Sequence, residues 1–83
     1  MSILTKRQVQ ILTIMRDNAD SDDGELVYEP GAGAYLGYMP VTTHTVNAFL
    51  RMMAIRKEDF EGKLERYTIN ETGRKLLEQY EKE

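Results

Sequence analysis

Two glycine-containing turn signals limit the possible folds of this chain more than any other feature. The first is Pro30-Gly31-Ala32-Gly33, between two tyrosine-containing runs, and the second is Glu61-Gly62-Lys63. Glycine tolerates the positive φ angles of tight turns, so each signal predicts a hairpin between two strands. Apolar residues at helical spacing predict helices before, between and after the hairpins. The sequence therefore predicts an α+β fold in the order helix, hairpin, helix, hairpin, helix.

Start signals support all three helices. Thr5 and Gln8 form a capping box at the start of the first helix. Thr42 and Asn70 are suitable N-caps for the second and third helices. Gly73 lies inside the third helix, where glycine is unfavourable, so we expect the helix to approach the sheet closely there.

The second hairpin has two candidate registers. A three-residue loop gives the pairs Phe60–Leu64, Glu58–Arg66 and Ile55–Ile69. A two-residue loop instead places Lys57 against Arg66, which are like charges. The longer loop is predicted because its cross-strand pairs are all favourable.

Composition narrows the class of protein. The chain has 83 residues, which suits a single domain over residues 1–83, and it contains one histidine and no cysteine. With so few groups that suit catalysis or metal binding, we expect neither an enzyme nor a metal or cofactor site. No apolar run reaches the roughly 20 residues that cross a bilayer, and no signal peptide is evident. A cytoplasmic protein without a membrane partner is therefore expected.

The charges are unevenly distributed along the chain. The net charge is −3, which by itself argues against a nucleic-acid partner. Residues 17–29 carry six acids and no base, whereas residues 30–57 carry three bases and no acid. Because local charge matters more to a binding surface than the total, residues 30–57 can still suit a polyanion.

The acid-free region contains an amphipathic segment, Val41–Met53, with the sequence VTTHTVNAFLRMM. Its apolar stripe, at helical spacing, comprises Val46, Phe49, Leu50 and Met53. Its polar face comprises Thr43, His44, Asn47 and Arg51. The stripe predicts core packing, and the polar face is either a contact surface or ordinary solvated surface.

Three tyrosines flank the first turn signal or follow it, namely Tyr28, Tyr35 and Tyr38. Aromatic side chains can stack on the bases of single-stranded nucleic acid. We expect instead that two of the three pack on the core of this small domain.

Two segments resemble winged helix-turn-helix proteins. Residues 66–77, RYTINETGRKLL, resemble the ending of small bacterial and phage winged-helix proteins, where an aromatic wing strand runs into a Thr/Asn-x-x-Gly-Arg-x-x-Leu helix start. The pattern T-x-x-T-V-x-x-F-L in Thr42–Leu50 resembles their recognition helix. The resemblance covers most of the chain and implies a winged helix, with a recognition-like helix at about 42–54 and a wing at about 55–69.

The resemblance also implies a function. A homodimer that binds double-stranded DNA specifically, as a bacterial, phage or plasmid regulator, is the expected activity. The implied DNA-binding residues are Thr43, His44, Thr45, Asn47, Arg51, Lys57, Lys63 and Arg66. In a major groove, Asn47 would contact adenine, and Arg51 would contact guanine or a phosphate.

A second function stays open. The acidic balance also suits a winged-helix module that binds a partner protein through the same helix and does not bind DNA. The charge map discriminates between the two functions, and a protein partner is favoured if the acidic segment 17–29 borders the helix. DNA is favoured if the bases merge into one patch, and these bases are Lys6, Arg7, Arg51, Arg56, Lys57 and Arg74.

Overall fold

The computed structural model of the protein describes residues 3–62 and 64–82. The α-helices are α1 (Lys6–Asp17), α2 (Thr43–Arg51) and α3 (Glu71–Glu81). The strands are β1 (Leu26–Glu29), β2 (Gly33–Leu36), β3 (Met39–Val41), β4 (Ile55–Glu61) and β5 (Leu64–Ile69). A short 3₁₀ turn, Asp22–Gly24, precedes β1. The predicted α+β class is confirmed.

The five strands form one antiparallel sheet in the order β3-β2-β1-β5-β4. Strand β1 is central, and its Leu26 lies opposite both Leu36 of β2 and Tyr67 of β5. The first group of strands and the last hairpin are therefore halves of one sheet, although α2 separates them in sequence. This arrangement holds α2 against both halves, where it contacts β2 and β4.

One face of the sheet carries the core. Alternate strand residues such as Leu26 and Tyr67 are buried, because successive side chains point to opposite faces. The helices complete this core, and its largest fully buried side chains are Phe49, Ile11, Leu12, Met15, Leu26, Leu77 and Val46. The other face is open, and Tyr35 is 54% exposed there.

The segment between α1 and α2 forms three strands rather than the expected two. Residues 30–32 make the predicted turn between β1 and β2. Leu36 pairs with Met39, so Gly37 and Tyr38 form a second turn of two residues. Gly37 has φ 63°, which a type II′ turn requires at its first central position. Because the turn is tight, the sheet gains the short strand β3.

The sequence does not predict β3 because its middle residue is proline. Pro40 has no N–H to donate and is therefore confined to the edge of a sheet. It lies on the edge strand here, and its carbonyl oxygen accepts a hydrogen bond from Arg7 Nη2 at 3.3 Å. This contact ties α1 to the strand that leads into α2.

The expectation for the tyrosines is wrong in one respect. Tyr28 packs against the core, but Tyr35 and Tyr38 are both exposed. Tyr35 points to the open face of the sheet, and Tyr38 occupies the tip of the Gly37 turn. Neither position could be inferred without the extra strand.

The register predicted for the second hairpin is wrong near its tip. Ile55 pairs with Ile69 as expected, but Phe60 pairs with Glu65 rather than Leu64. The loop is one residue shorter than predicted, and a bulge between Lys57 and Asp59 restores the register at the other end. Glu58 is the extra residue, so it does not pair with Arg66.

The predicted N-caps are confirmed at both outer helices. The hydroxyl of Thr5 accepts from Gln8 N at 3.1 Å, and Gln8 Oε1 accepts from Thr5 N at 2.9 Å. The side chain of Asn70 accepts from Gly73 N at 2.9 Å at the start of α3. At the far end of these helices, Arg16 of α1 pairs with Glu81 of α3 at 3.1 Å.

Close approach at Gly73 is also confirmed. A β-carbon at this position would lie 2.3 Å from the Ala54 carbonyl oxygen and 2.7 Å from Ile69 Cγ1. Asn70 N donates to the same Ala54 oxygen at 3.2 Å. The first turn of α3 therefore packs directly on the backbone that joins α2 to β4, with no room for a side chain.

This packing predicts that Gly73→Ala destabilises the protein. Alanine favours helix by up to about 1 kcal/mol, but the added methyl group meets backbone that cannot easily move. We expect the free energy of unfolding to fall by about 1–3 kcal/mol, measured by urea denaturation. The neighbouring exposed substitution Thr72→Ala is the control and should change it by less than about 0.5 kcal/mol. Equal stability of the two variants would contradict the close packing.

Candidate functional site

Helix α2 begins at a threonine cap. Thr42 Oγ1 accepts a hydrogen bond from Thr45 N at 3.1 Å and lies 2.9 Å from Thr45 Oγ1. Thr45 is half-buried, and its hydroxyl is engaged by the cap. Of the two threonines expected near a ligand, Thr43 is thus the exposed one, whereas Thr45 belongs to the cap.

The predicted polar face of α2 is exposed along its whole length. Its members are Thr43, His44, Asn47 and Arg51. Their spacing places them on one side of the helix, over about 12 Å at 1.5 Å per residue. Among the side chains that the structure describes, none forms an ion pair or hydrogen bond with that of Arg51. The face offers a hydroxyl, an imidazole, an amide and a guanidinium to a ligand.

The apolar stripe of α2 is shorter than predicted. Val46 and Phe49 are fully buried, but Leu50 is 39% exposed and Met53 is 71% exposed. Met53 leaves the stripe because α2 ends at Arg51. Leu50 lies at the border of the stripe, next to the polar face.

Met53 ends the helix in an unusual conformation. Its φ is 59°, in the left-handed region that glycine normally occupies after a helix. Met53 N donates to Leu50 O at 3.1 Å, and Ala54 N donates to Phe49 O at 2.9 Å, which is the Schellman pattern. Asn70 Nδ2 donates to the Met53 carbonyl at 2.7 Å and holds this conformation. The helix end is therefore fixed even though it places a methionine where glycine is preferred.

The start of α2 and the tip of the last hairpin lie at the same end of the sheet. Val41 pairs with Ala34, next to the β1–β2 turn, and Tyr28 near that turn pairs with Glu65. The connection between β4 and β5 follows directly beyond Glu65. A ligand at the start of α2 would therefore face the same end of the molecule as the hairpin tip.

The structure does not bring the predicted wing bases together with the α2 face. Lys57 pairs with Glu65 at 3.3 Å, on the face of the sheet that carries the core. Arg66 points to the open face and pairs with Glu25 at 3.5 Å. Lys63 lies outside the described residues. Carboxylates thus partly neutralise Lys57 and Arg66.

Arg7 is a base near α2 that local sequence patterns do not reveal. Its contact with the carbonyl of Pro40 places it two residues before the Thr42 cap. The contact joins residues 33 positions apart, so only the tertiary structure brings them together. Arg7 extends the basic character of the α2 surface beyond the helix itself.

Arg56 and Arg74 lie elsewhere, in a depression of about 480 Å³. Three acids share its lining with them, namely Asp20, Glu25 and Glu58. Arg56 Nη2 lies 2.6 Å from Glu58, and hydrogen bonds from Arg56 and then from Thr68 hold the pKa of Glu58 below its ordinary value. Because acids outnumber bases, this depression does not suit a polyanion. Asp20 and Glu25 belong to the acidic segment 17–29, so two residues of that segment lie beside Arg56 and Arg74.

Two other kinds of site receive no support from the described residues. Within residues 3–62 and 64–82, no three acidic or histidine side chains are arranged to hold a metal ion. None of the helices in those ranges is both long and apolar enough to cross a membrane.

Comparisons with known proteins give no further assignment. No protein-family model, curated protein or solved structure matches this chain. The candidate site therefore depends on geometry and charge. The polar face of α2 is the strongest candidate because it is exposed, its Arg51 forms no ion pair with the side chains that the structure describes, and Arg7 contacts the strand that leads into α2.

Because Met53 has a left-handed backbone conformation, we predict that replacing it with glycine stabilises the protein. Met53→Gly removes steric strain of about 1 kcal/mol, and the exposed side chain contributes little packing. We expect a higher midpoint in urea denaturation than for the native chain. The control is Met53→Ala, which removes the same side chain but keeps the steric cost of positive φ. A Gly variant no more stable than the Ala variant would contradict the left-handed conformation.

Tyr67 predicts a pH-dependent contribution to stability. Burial and then the neighbouring Glu65 raise the pKa of the Tyr67 phenol above its ordinary value of 10.0. Folding thus favours the neutral phenol, so this contribution is complete below pH 10 and is lost as pH rises through the raised pKa.

The measurement is urea denaturation of the native chain and of Tyr67→Phe across this alkaline range. The difference in the free energy of unfolding between them should shift against the native chain as pH rises. A constant difference for Tyr67→Phe would exclude the raised pKa.

Proposed function

We propose that this protein is a winged helix-turn-helix domain that binds double-stranded DNA, as a small bacterial, phage or plasmid transcriptional regulator. The observation that supports this most is the exposed polar face of α2, defined by Thr43, His44, Asn47 and Arg51. A helix of this kind fits the major groove, where amide and guanidinium groups contact base edges.

The order of the elements supports the same proposal. In a winged helix, the recognition helix precedes a hairpin, the wing, and both approach the DNA. Here α2 precedes the β4–β5 hairpin, and the start of α2 faces the same end of the molecule as the hairpin tip. Strands β2 and β3 occupy the place in the sequence where a second helix would precede the recognition helix.

Each residue on the face has a proposed contact. Asn47 lies at its centre and can pair with adenine through two hydrogen bonds, while Arg51 contacts guanine or a phosphate. Thr43 and His44, in the first turn of α2, contact the DNA backbone. Arg7 adds a phosphate contact beside the strand that leads into α2. Lys57 and Arg66 contribute less than first expected, because each has a carboxylate partner.

The net charge of −3 does not oppose this proposal as strongly as it first appears to. Asp20 and Glu25 line the polar depression with Arg56 and Arg74, and Glu25 pairs with Arg66 at 3.5 Å, so part of the acidic segment lies beside bases. The α2 segment itself contains no acid. Local potential rather than total charge governs the encounter with DNA.

We further propose that the protein acts as a homodimer. One small domain makes few phosphate contacts, and two copies on neighbouring half-sites double them. Sedimentation velocity with and without DNA measures this directly.

The proposal is tested by fluorescence anisotropy with a mixed-sequence duplex, from about 50 to about 200 mM salt. Binding should weaken steeply over that range because counterions are released when phosphates are neutralised. If no duplex binds even at the lowest salt, the proposed function is wrong.

Two substitutions test the α2 face. Asn47→Ala and Arg51→Ala should each weaken specific binding by about 1–3 kcal/mol, as expected for loss of a base contact, while the fold is retained. Lys75→Ala, an exposed base on α3, is the matched control for the loss of one positive charge and should have little effect. Circular dichroism checks folding. An unchanged affinity in folded Asn47→Ala and Arg51→Ala would remove the face from the proposed interface.

The alternative is a protein-interaction module. It is favoured by one observation, the exposure of Leu50 and Met53 beside the polar face, because apolar side chains are typical of protein interfaces. An absence of DNA binding at low salt, together with a change of sedimentation when Leu50 is replaced, would support this alternative.

A further inference from the structure

Leu50 has no evident role in folding that requires its exposed position. The neighbouring Val46 and Phe49 are fully buried and supply the core contact of α2, whereas Leu50 remains 39% exposed. A single exposed leucine is common and needs no explanation. Leu50 is not a single exposed apolar residue, however, because the nearby Met53 is 71% exposed. Met53 also adopts the left-handed backbone conformation, which is unfavourable for a residue with a side chain.

Leu50 lies along the edge of the polar face of α2 and Met53 follows the end of the helix; we call these two exposed residues the apolar border. Leu50 lies three residues after Asn47 and seven after Thr43, which places it beside both on the helix surface. Met53 is bound to Leu50 by its backbone, N to O at 3.1 Å, so the border continues past the end of the helix. The resulting surface alternates hydrogen-bonding and apolar groups within one helix width.

The charge near Leu50 and Met53 indicates which kind of ligand this apolar border suits. Arg51 follows Leu50 directly, His44 belongs to the polar face, Arg7 contacts the Pro40 carbonyl two residues before the Thr42 cap, and residues 30–57 contain no acid. Arg51 forms no ion pair with the side chains that the structure describes, and an apolar surface beside such a guanidinium suits a polyanion better than an apolar protein face. In the DNA major groove, the apolar group available for contact is the C5-methyl of thymine.

We infer that Leu50, with Met53 beside it, binds thymine methyl groups next to the base contacted by Asn47, so that the protein prefers A·T pairs there. An A·T pair presents the adenine N6 and N7 atoms that an asparagine amide can bind and, on the other strand, the thymine methyl. Side chains three residues apart on a helix are about 5–6 Å apart, which suits two groups that contact one base pair or adjacent pairs. This inference rests on the proposed DNA binding and adds a base preference to it.

The test removes the methyl group from the DNA instead of changing the base pair. The probes are fluorescein-labelled duplexes of alternating A and T, two helical turns long, and the same duplexes with uracil in place of thymine. The native chain should bind the uracil duplex roughly fourfold more weakly for each methyl contacted, from the transfer free energy of one methyl group. Duplexes of G and C, with and without the 5-methyl group on cytosine, test the same contact in a different sequence.

Leu50→Ala shows whether Leu50 is responsible. This variant should lose most of the preference for thymine over uracil, because only Met53 remains, whereas Leu50→Met should retain the preference. Both variants are measured with the same two duplexes. Any effect of uracil on groove shape is therefore the same for both and cannot explain a difference between them. Asn47→Ala should weaken binding to both duplexes while keeping their ratio, because it removes a different contact.

The outcomes separate this inference from the proposed function. If the native chain binds DNA but does not distinguish thymine from uracil, or if Leu50→Ala keeps the preference, the methyl contact is wrong and DNA binding stands. If no duplex binds, both are wrong. If Leu50→Ala alters self-association in sedimentation and leaves the thymine preference unchanged, the border is a protein contact and the inference is overturned.

Discussion

Asn70 stabilises the junction of α2, β4 and α3, and the arrangement of the whole molecule depends on this junction. Its side chain caps α3 through Gly73 N and donates to the carbonyl of Met53 at 2.7 Å. Its backbone N–H donates to the carbonyl of Ala54 at 3.2 Å, against which Gly73 packs without a side chain. One residue therefore joins the end of α2, the start of β4 and the start of α3. A buried backbone group at such a junction must find a hydrogen-bond partner, so the three elements can meet in few other ways.

The same junction explains why Met53 keeps a left-handed backbone. Two helix-ending hydrogen bonds and the contact from Asn70 stabilise this conformation against its steric cost. Strained residues of this kind persist where the surrounding structure over-determines them, and they often lie at functional sites. In this protein the strained residue exposes an apolar side chain just after the end of α2. The end of α2 is thus held by three hydrogen bonds and is exposed to solvent.

Acidic and basic side chains are grouped on different surfaces of this protein, so its net charge does not describe any one surface. The acids of residues 17–29 include Asp20 and Glu25, which line a depression with Arg56 and Arg74. Hairpin bases also have carboxylate neighbours, as Lys57 does in Glu65. The polar face of α2 differs because its own segment lacks acids, and it is extended by an arginine from the start of α1. The proposed contact with a polyanion therefore depends on the local charge at α2 and not on the net charge of the protein.

The sequence by itself determined the elements whose causes are local. The caps at Thr5, Thr42 and Asn70, the turn at residues 30–32 and the exposed side of α2 follow from neighbouring residues, so they could be predicted. Tertiary structure decided what depends on distant contacts. The strand around Pro40 exists because β2 provides a partner, and the hairpin register shifts because a bulge is compatible with the sheet. Met53 is exposed because α2 ends at Arg51, where the Ala54 carbonyl meets the start of α3, and helical periodicity alone does not indicate where a helix ends.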